Sequence, residues 1–514
     1  MSRQKNTTTA PTPSGFWDSP LLRSRIRTPR VTWFETLVGF FLGPFGVLVF
    51  NAVLVGYINV YFTDVLGISG TFLVVFPIVS SLLAVAVNLA MGVVIDHTRT
   101  PAGKARPYIL LAAPLLLAAG ILLYTMPASM PSGVAQMAWI VVAYNLYLSV
   151  ANSIYSMGHS LMVPLATRDG ESRSRLSVWT NTASSGAIGF VSIAFPVALS
   201  FIGASRGRWA SVMCVLAGVA AAGAVVEYYY TRERITEEMS SASAERERPV
   251  PVRRQLKALL TEPYWWIIIV FYVLWQFSGT MKNGSMTYFC NYIVGTYADG
   301  TTQTVLAVIG AVPMAAGMFV SWPLANQFGK RNFTIAGLLI GVAGGLIMWI
   351  APTDIRVVSV GLVVKSIGMI PGMTIMTALF SDVLDHMEFR NGFRCDGLSM
   401  SIYSACMTTL SGLCSGVMNL MLNASGYIAP NADAATVTTG VQKIVDGTAI
   451  YDQPGSAQFA IKAMYILFEL VAWAVAAVAL TGLDVERNLP AEQEEIRRRR
   501  EAGMAGAEAE GYTS

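Results

Sequence analysis

Long apolar runs alternate with short polar breaks along this chain, and the alternation predicts its elements. Twelve runs are long enough, at about 1.5 Å per residue, to cross a hydrocarbon layer of about 30 Å as helices. They lie near 34–62, 70–96, 108–128, 134–165, 175–203, 208–231, 263–296, 302–328, 332–352, 356–383, 396–424 and 457–482. The expected fold class is an all-α membrane protein. Residues 1–33 read as a polar cytoplasmic tail, 34–231 as a six-helix bundle, 232–262 as a cytoplasmic linker, 263–482 as a second six-helix bundle, and 483–514 as a C-terminal cytoplasmic tail. In the linker, RRQLKALL at 253–260 fits both a short amphipathic helix on the inner surface and a solvated tether. The stretch 425–456, rich in Ala, Thr, Asp and Gly, reads as a long polar outer loop.

Charge placement sets the orientation. Of 35 Lys and Arg, four fall in outer loops (Arg206, Arg208, Arg356, Lys443) and three within spans (Lys282, Lys365, Lys462); the rest lie on the side of both termini. Positive residues are retained inside, so both ends are expected in the cytoplasm. With 54% hydrophobic and 13% charged residues, the chain is a multi-pass protein expected in the cytoplasmic membrane, in contact with lipid. The basic segments follow from topology and imply no nucleic acid. The five cysteines fall in or beside apolar runs, without metal-binding spacing, so no metal and no cofactor is expected. No phosphate-cradling loop and no Ser–His–Asp arrangement stands out, so neither ATP-driven transport nor enzyme chemistry is expected.

Two polar corners interrupt the apolar pattern most sharply. The first, NLAMGVVIDHTRTPAGKARPY, runs from Asn88 to Tyr108 and gathers Asp96, Arg99, Lys104 and Arg106 at the inner surface. The second, SDVLDHMEFRNGFRCDG, spaces Asp382, Asp385 and Glu388 three apart on a helix end, followed by Arg390, Arg394 and Asp396. Opposite charges at such corners can form ionic latches that make and break as helices rock. The stretch PLANQFGKRN, with Gly329 and Lys330, echoes Gly103–Lys104 and suggests two related halves.

These corners, in order, together with YFTDVLGIS at 61–69, resemble the glycoside–pentoside–hexuronide:cation symporters, the melibiose permease-like family of the major facilitator superfamily. The family pattern in the first corner maps onto Gly92, Asp96, Thr98-Arg99, Gly103-Lys104 and Arg106-Pro107-Tyr108. Its acidic run in the second maps onto Asp382, Asp385, Glu388, Arg394 and Asp396. The resemblance implies two pseudo-symmetric six-helix bundles and a secondary active transporter of a sugar, glycoside or related organic solute. It implies alternating access around a site near mid-membrane, with a cytoplasmic gate at Asp96, Arg99, Lys104, Arg106, Asp382, Asp385, Glu388, Arg394 and Asp396.

The departures from the family are as informative. The family's two cation-binding acids on span two align with Ala84 and Asn88, and Val87 replaces a neighbouring amide. Na⁺ needs several hard oxygens with nearby negative charge. Symport is therefore expected to use H⁺ rather than Na⁺. The family's sugar-binding acid on span one falls at Leu48, the acid and Trp on span four at Ser156 and Ser160, and the Lys on span eleven at Thr408. The Arg of span five has no basic counterpart between Leu176 and Phe190, where Trp179 and Asn181 stand instead.

What remains is a neutral, amphipathic set of substrate-binding candidates. Asn152, Ser156, His159 and Ser160 share one helix face; Asn88, Trp179, Asn181 and Thr408 line other spans. Span seven adds Trp275, Gln276, Lys282 and Asn283, of which Trp275 can stack a sugar ring or pack as a core residue. His159 is the one histidine inside a span and is the leading proton-coupling candidate. Lys365 and Glu469 lie at similar depth, which fits an ion pair, with a proton-relay role as the rival. A neutral aromatic site also fits a lysolipid or other amphiphile as cargo. An uncoupled facilitator and a non-transporting receptor are the remaining readings. The solute-binding unit is expected to be a monomer.

Overall fold

The computed structural model describes residues 23–68, 71–98, 100, 102–127, 133–167, 169–234, 252–294, 300–393, 396–430, 441–445, 448–489, 491–492, 494–495 and 498. The helices are α1 (Glu35–Val65), α2 (Thr71–His97), α3 (Arg106–Tyr124), α4 (Val134–Ala166), α5 (Gly170–Ile202) and α6 (Arg206–Tyr230). They continue as α7 (Val252–Leu260), α8 (Pro263–Val294), α9 (Gly300–Phe328), α10 (Lys330–Ile350), α11 (Ile355–Asn391), α12 (Asp396–Ala424) and α13 (Gly455–Leu489, broken after Thr481). Among the described residues, 11 helices are long and apolar enough to cross a membrane, and α9 carries the shorter apolar stretch Gly300–Met314. The chain is a multi-pass helical membrane protein. A helix pairs every backbone group within itself, which hydrocarbon demands.

One element goes beyond the sequence reading, and one helix runs on through the acidic helix end that the sequence predicts. The loop after α12 contains an antiparallel pair, β1 (Val441–Val445) and β2 (Thr448–Tyr451), with Val445 opposite Thr448. α11 also continues past its apolar run to Asn391. The Asp354 side chain accepts from the Arg356 N–H at its start (2.8 Å), and Gly392, at φ +72°, donates to the Glu388 carbonyl at its end.

Several spans contain wide turns closed five residues apart: Glu35–Leu42 and Tyr61–Val65 in α1, Leu146–Ala151 in α4 and Ala463–Leu467 in α13. One extra residue in a turn rotates the following helix face by about 100°. Those in α4 and α13 immediately precede Asn152 and Phe468, and so reset which residues of these helices face their neighbours.

By packing, the chain divides into two compact units. One comprises Met1–Ala52, Ala86–Ile188 and Ala210–Glu245; the other comprises Val53–Val85, Gly189–Trp209 and Arg246–Ser514. In the first unit α1 crosses α6 at very close range. A Cβ on Gly43 would meet the Glu227 backbone nitrogen at 2.8 Å, so only glycine allows this approach. In the second unit, Trp265, Phe271, Phe380, Trp473 and Leu480 build one apolar core, and Phe289, Leu362, Met464 and Tyr465 build another. The 253–260 segment is helical there: Leu259 is fully buried in the first of these cores, while Leu256 and Leu260 stay exposed.

The second unit also holds the C-terminal end of α1 by a polar network. Asp64 accepts from Thr63 (2.8 Å) and from the Tyr427 hydroxyl (2.9 Å), and the Tyr427 oxygen meets the Tyr292 hydroxyl at 3.0 Å. Thr63 also meets the Tyr288 hydroxyl at 2.8 Å, and Asn419 donates to the side chain of Asn59 (3.1 Å). Tyr427→Phe leaves a buried carboxyl oxygen short of one donor. It is expected to lower stability by about 1–2 kcal/mol, read as an earlier thermal unfolding midpoint in detergent.

Candidate functional site

The first unit contains a buried polar cluster that spacing along the chain does not reveal. Glu227 stands on α6, the one acid between Arg208 and Arg232, and is 1% exposed. Two α4 residues one turn apart converge on it. The Tyr155 hydroxyl donates to Oε2 at 2.6 Å, and His159 Nδ1 meets Oε1 at 2.6 Å. The Tyr155 and His159 rings lie stacked, 5.6 Å apart at 11°. Glycine at Gly43 lets α1 close over the Glu227 backbone, which seals the acid from that side. His159, at 13% side-chain exposure, is the open end of the cluster. The missed signal was an acid in an otherwise apolar run, since an ionisable group in a span is costly unless it has a function or a partner.

The other candidates on α4 take different positions. Ser156 and Ser160 are exposed, and Asn152 is half-buried. On α2, Asn88 is half-buried; its Oδ1 is enclosed and without a hydrogen-bond partner among the described residues. On α5, Asn181 is exposed, while Trp179 packs edge-on against Trp33 (6.3 Å) and Phe41 (5.5 Å).

In the second unit, Lys365 of α11 and Glu469 of α13 form an ion pair with side chains 3% and 1% exposed. The Tyr465 ring centroid lies 5.7 Å from the ammonium. Nearby on α13, Trp473 stacks on Trp275 (5.4 Å, 7°), so one face of Trp275 is already covered by protein. Gln276 and Asn283 are exposed, Lys282 is half-buried, and Thr408 donates to its own helix at Ser404.

The two polar corners are organised by carboxylates absent from the sequence reading. Glu233, just beyond α6, accepts from the backbone N–H groups of Lys104 (2.7 Å), Ala105 (2.8 Å) and Arg106 (2.7 Å). These are the unpaired donors at the start of α3, where the helix end carries partial positive charge. Gly103, at φ +116°, makes the turn, and a Cβ there would run into the Glu233 carboxylate. The Arg106 guanidinium donates to the Ala102 and Tyr228 carbonyls and sits 4.6 Å over the Tyr228 ring. Beside it, Arg234 grips Glu35 through both carboxylate oxygens (3.0 and 2.7 Å).

The same device recurs in the second unit. Glu486 accepts from the N–H groups of Lys330 (2.7 Å) and Arg331 (3.1 Å) at the start of α10, after Gly329 at φ +83°. The Lys330 side chain binds Asp382 at 2.6 Å, Arg390 binds Glu262 at 2.9 Å, and His386 meets Glu492 at 2.8 Å. Asp385 and Glu388 are half-buried. Arg99 and Arg394 lie outside the described residues, and so do the side chains of Asp96 and Asp396.

Comparison with known proteins supplies the family. A family model described as MFS/sugar transport protein matches residues 39–483. The chain is 27% identical over 394 residues to the isoprimeverose transporter of Lactiplantibacillus pentosus, covering 75% of this chain and 79% of that one. It is 24% identical over 428 residues to the glucuronide carrier protein homolog of Escherichia coli (strain K12), covering 80% and 88%. Among solved structures, the nucleoside transporter NupG has a TM-score of 0.56 at 12% identity, covering 88% of this chain and 100% of that one. The D-xylose-proton symporter has a TM-score of 0.52 at 14% identity, covering 86% and 96%. The match spans nearly every membrane helix and both polar corners, and the chain therefore belongs to the MFS/sugar transport protein family, within its glycoside–pentoside–hexuronide:cation symporter-like branch.

Proposed function

We propose that this protein is a secondary transporter moving a sugar, glycoside or related organic solute across the cytoplasmic membrane by alternating access. In this reading twelve spans cross with both termini inside, the molecule works as a monomer in lipid, and no cofactor or metal takes part. The observation that carries the reading is the family match over residues 39–483, together with relatives named for isoprimeverose and glucuronide over most of both chains. In the first unit Asn88, Asn152, Ser156, Ser160 and Asn181 offer neutral hydrogen bonds to solute hydroxyl groups, and in the second Gln276 and Asn283 offer the same. The enclosed Oδ1 of Asn88, without a hydrogen-bond partner among the described residues, supports its place in this set.

Coupling is to H⁺ rather than Na⁺, because Ala84 and Asn88 stand where the family carries its cation-binding acids. The inner corners move as units with the helices that they cap. Uptake into proteoliposomes with isoprimeverose, D-xylose and phenyl β-D-glucuronide as probes tests this. Accumulation of at least one probe under an imposed proton gradient, unchanged by Na⁺, is expected. Accumulation that needs Na⁺ overturns the ion assignment, and transport of none of the probes overturns the solute class.

A further inference from the structure

We propose that Glu227, His159 and Tyr155 together form the proton-carrying site, with the transported proton held on Nε2 of His159 and Glu227 as the fixed counter-charge. The inference deepens the transport reading above and rests on it. Glu227 is fully buried on α6, and among the described residues its carboxylate bonds only to Tyr155 and His159. The carboxylate orients the imidazole: Nδ1–H points at Oε1, and the Tyr155 hydroxyl satisfies Oε2. A hydrogen bond at one ring nitrogen fixes the tautomer and leaves the other nitrogen to exchange protons.

The proton balance follows from that geometry. In the loaded state both ring nitrogens carry hydrogen, and imidazolium plus carboxylate sum to zero charge. On release, Nε2 gives its proton to the open side of His159, Nδ1–H stays on Glu227, and the cluster carries one negative charge. Loading thus removes net charge from a low-dielectric site, which favours helix movement in the loaded form. His159 lies on the same α4 face as Ser156 and Ser160, both exposed. Proton and solute would therefore meet along one strip of one helix.

The surrounding charges are held by partners of their own. From α1, Glu35 is gripped by Arg234. Arg106, at the start of α3, binds the carbonyl of Tyr228, next to Glu227. Beyond α6, Glu233 is seated on the α3 N–H groups. Neither α4 nor α6 brings another ionised side chain into hydrogen bonding with Glu227 among the described residues.

Two measurements test the site. Purified protein in weakly buffered detergent is stepped from alkaline to acid pH and its proton uptake counted. Glu227→Gln and His159→Asn are each expected to take up one proton fewer than the wild type. His159→Asn keeps an amide donor for the carboxylate, and so remains informative where Glu227→Gln does not fold. Equal uptake in wild type and variants overturns the proposal. In proteoliposomes with the three probes above, gradient-driven accumulation is expected to be lost in both variants and partly rescued in Glu227→Asp. Variants that accumulate a probe as the wild type does also overturn it. A wild type that moves no probe yet shows the extra proton refutes the solute reading and leaves the proton site standing.

Discussion

Lys365→Ala is expected to destabilise the folded protein by about 3–5 kcal/mol. The substitution removes the partner of Glu469, whose side chain is 1% exposed, and leaves its carboxylate buried without the ammonium that faces it. Most of the loss comes from that stranded charge and little from the attraction itself. A buried pair repays its desolvation only in part, so removing both charges together should cost much less than removing one. The double variant Lys365→Met/Glu469→Leu is accordingly expected to unfold within a few degrees of the wild type in detergent, well above Lys365→Ala. Proton-driven transport retained in that double variant assigns the pair to structure. A Lys365→Ala protein as stable as the wild type would mean that the pair does not form.

Glu233→Ala is expected to cost about 2–4 kcal/mol, because one carboxylate satisfies three backbone donors at the start of α3. Without it, the Lys104, Ala105 and Arg106 N–H groups at the positive end of α3 lose their acceptor. The effect should be ordered. Glu233→Gln keeps one acceptor oxygen and loses less. Glu486→Ala in the second unit strips two donors instead of three and should also lose less. Gly103→Ala should approach Glu233→Ala, since the new methyl occupies the carboxylate's place at a φ of +116°. Thermal unfolding of the four variants in one detergent checks the order. Equal midpoints for Glu233→Ala and wild type would refute the capping role.

These two sites show where reading along the chain stops. Lys365 and Glu469 could be matched by depth, because a helix converts residue number into distance at a fixed rise. Glu233 could not be matched to residues 104–106 in the same way: it follows α6, and its partners stand at the start of α3. The only sequence hint was the repeated Gly-Lys at 103–104 and 329–330, which the structure explains as two helix starts, each capped by a carboxylate from later in the chain. Trp275 was legible as an aromatic in the right span, but its stacking on Trp473 depends on how α8 meets α13. His159 was legible as the one histidine within a span; Glu227, its partner, was not.

The sequence by itself determined the class of this protein, its membrane helices and its family. Hydrocarbon requires contiguous apolar residues in self-paired helices, and that requirement is written locally. Only the tertiary structure decided which charges neutralise one another: His159 with Glu227, Lys365 with Glu469, Glu35 with Arg234, and Glu233 with a helix start. Such pairings depend on where helices cross and on wide turns like Leu146–Ala151 that reset a helix face, and neither is encoded in spacing along one span.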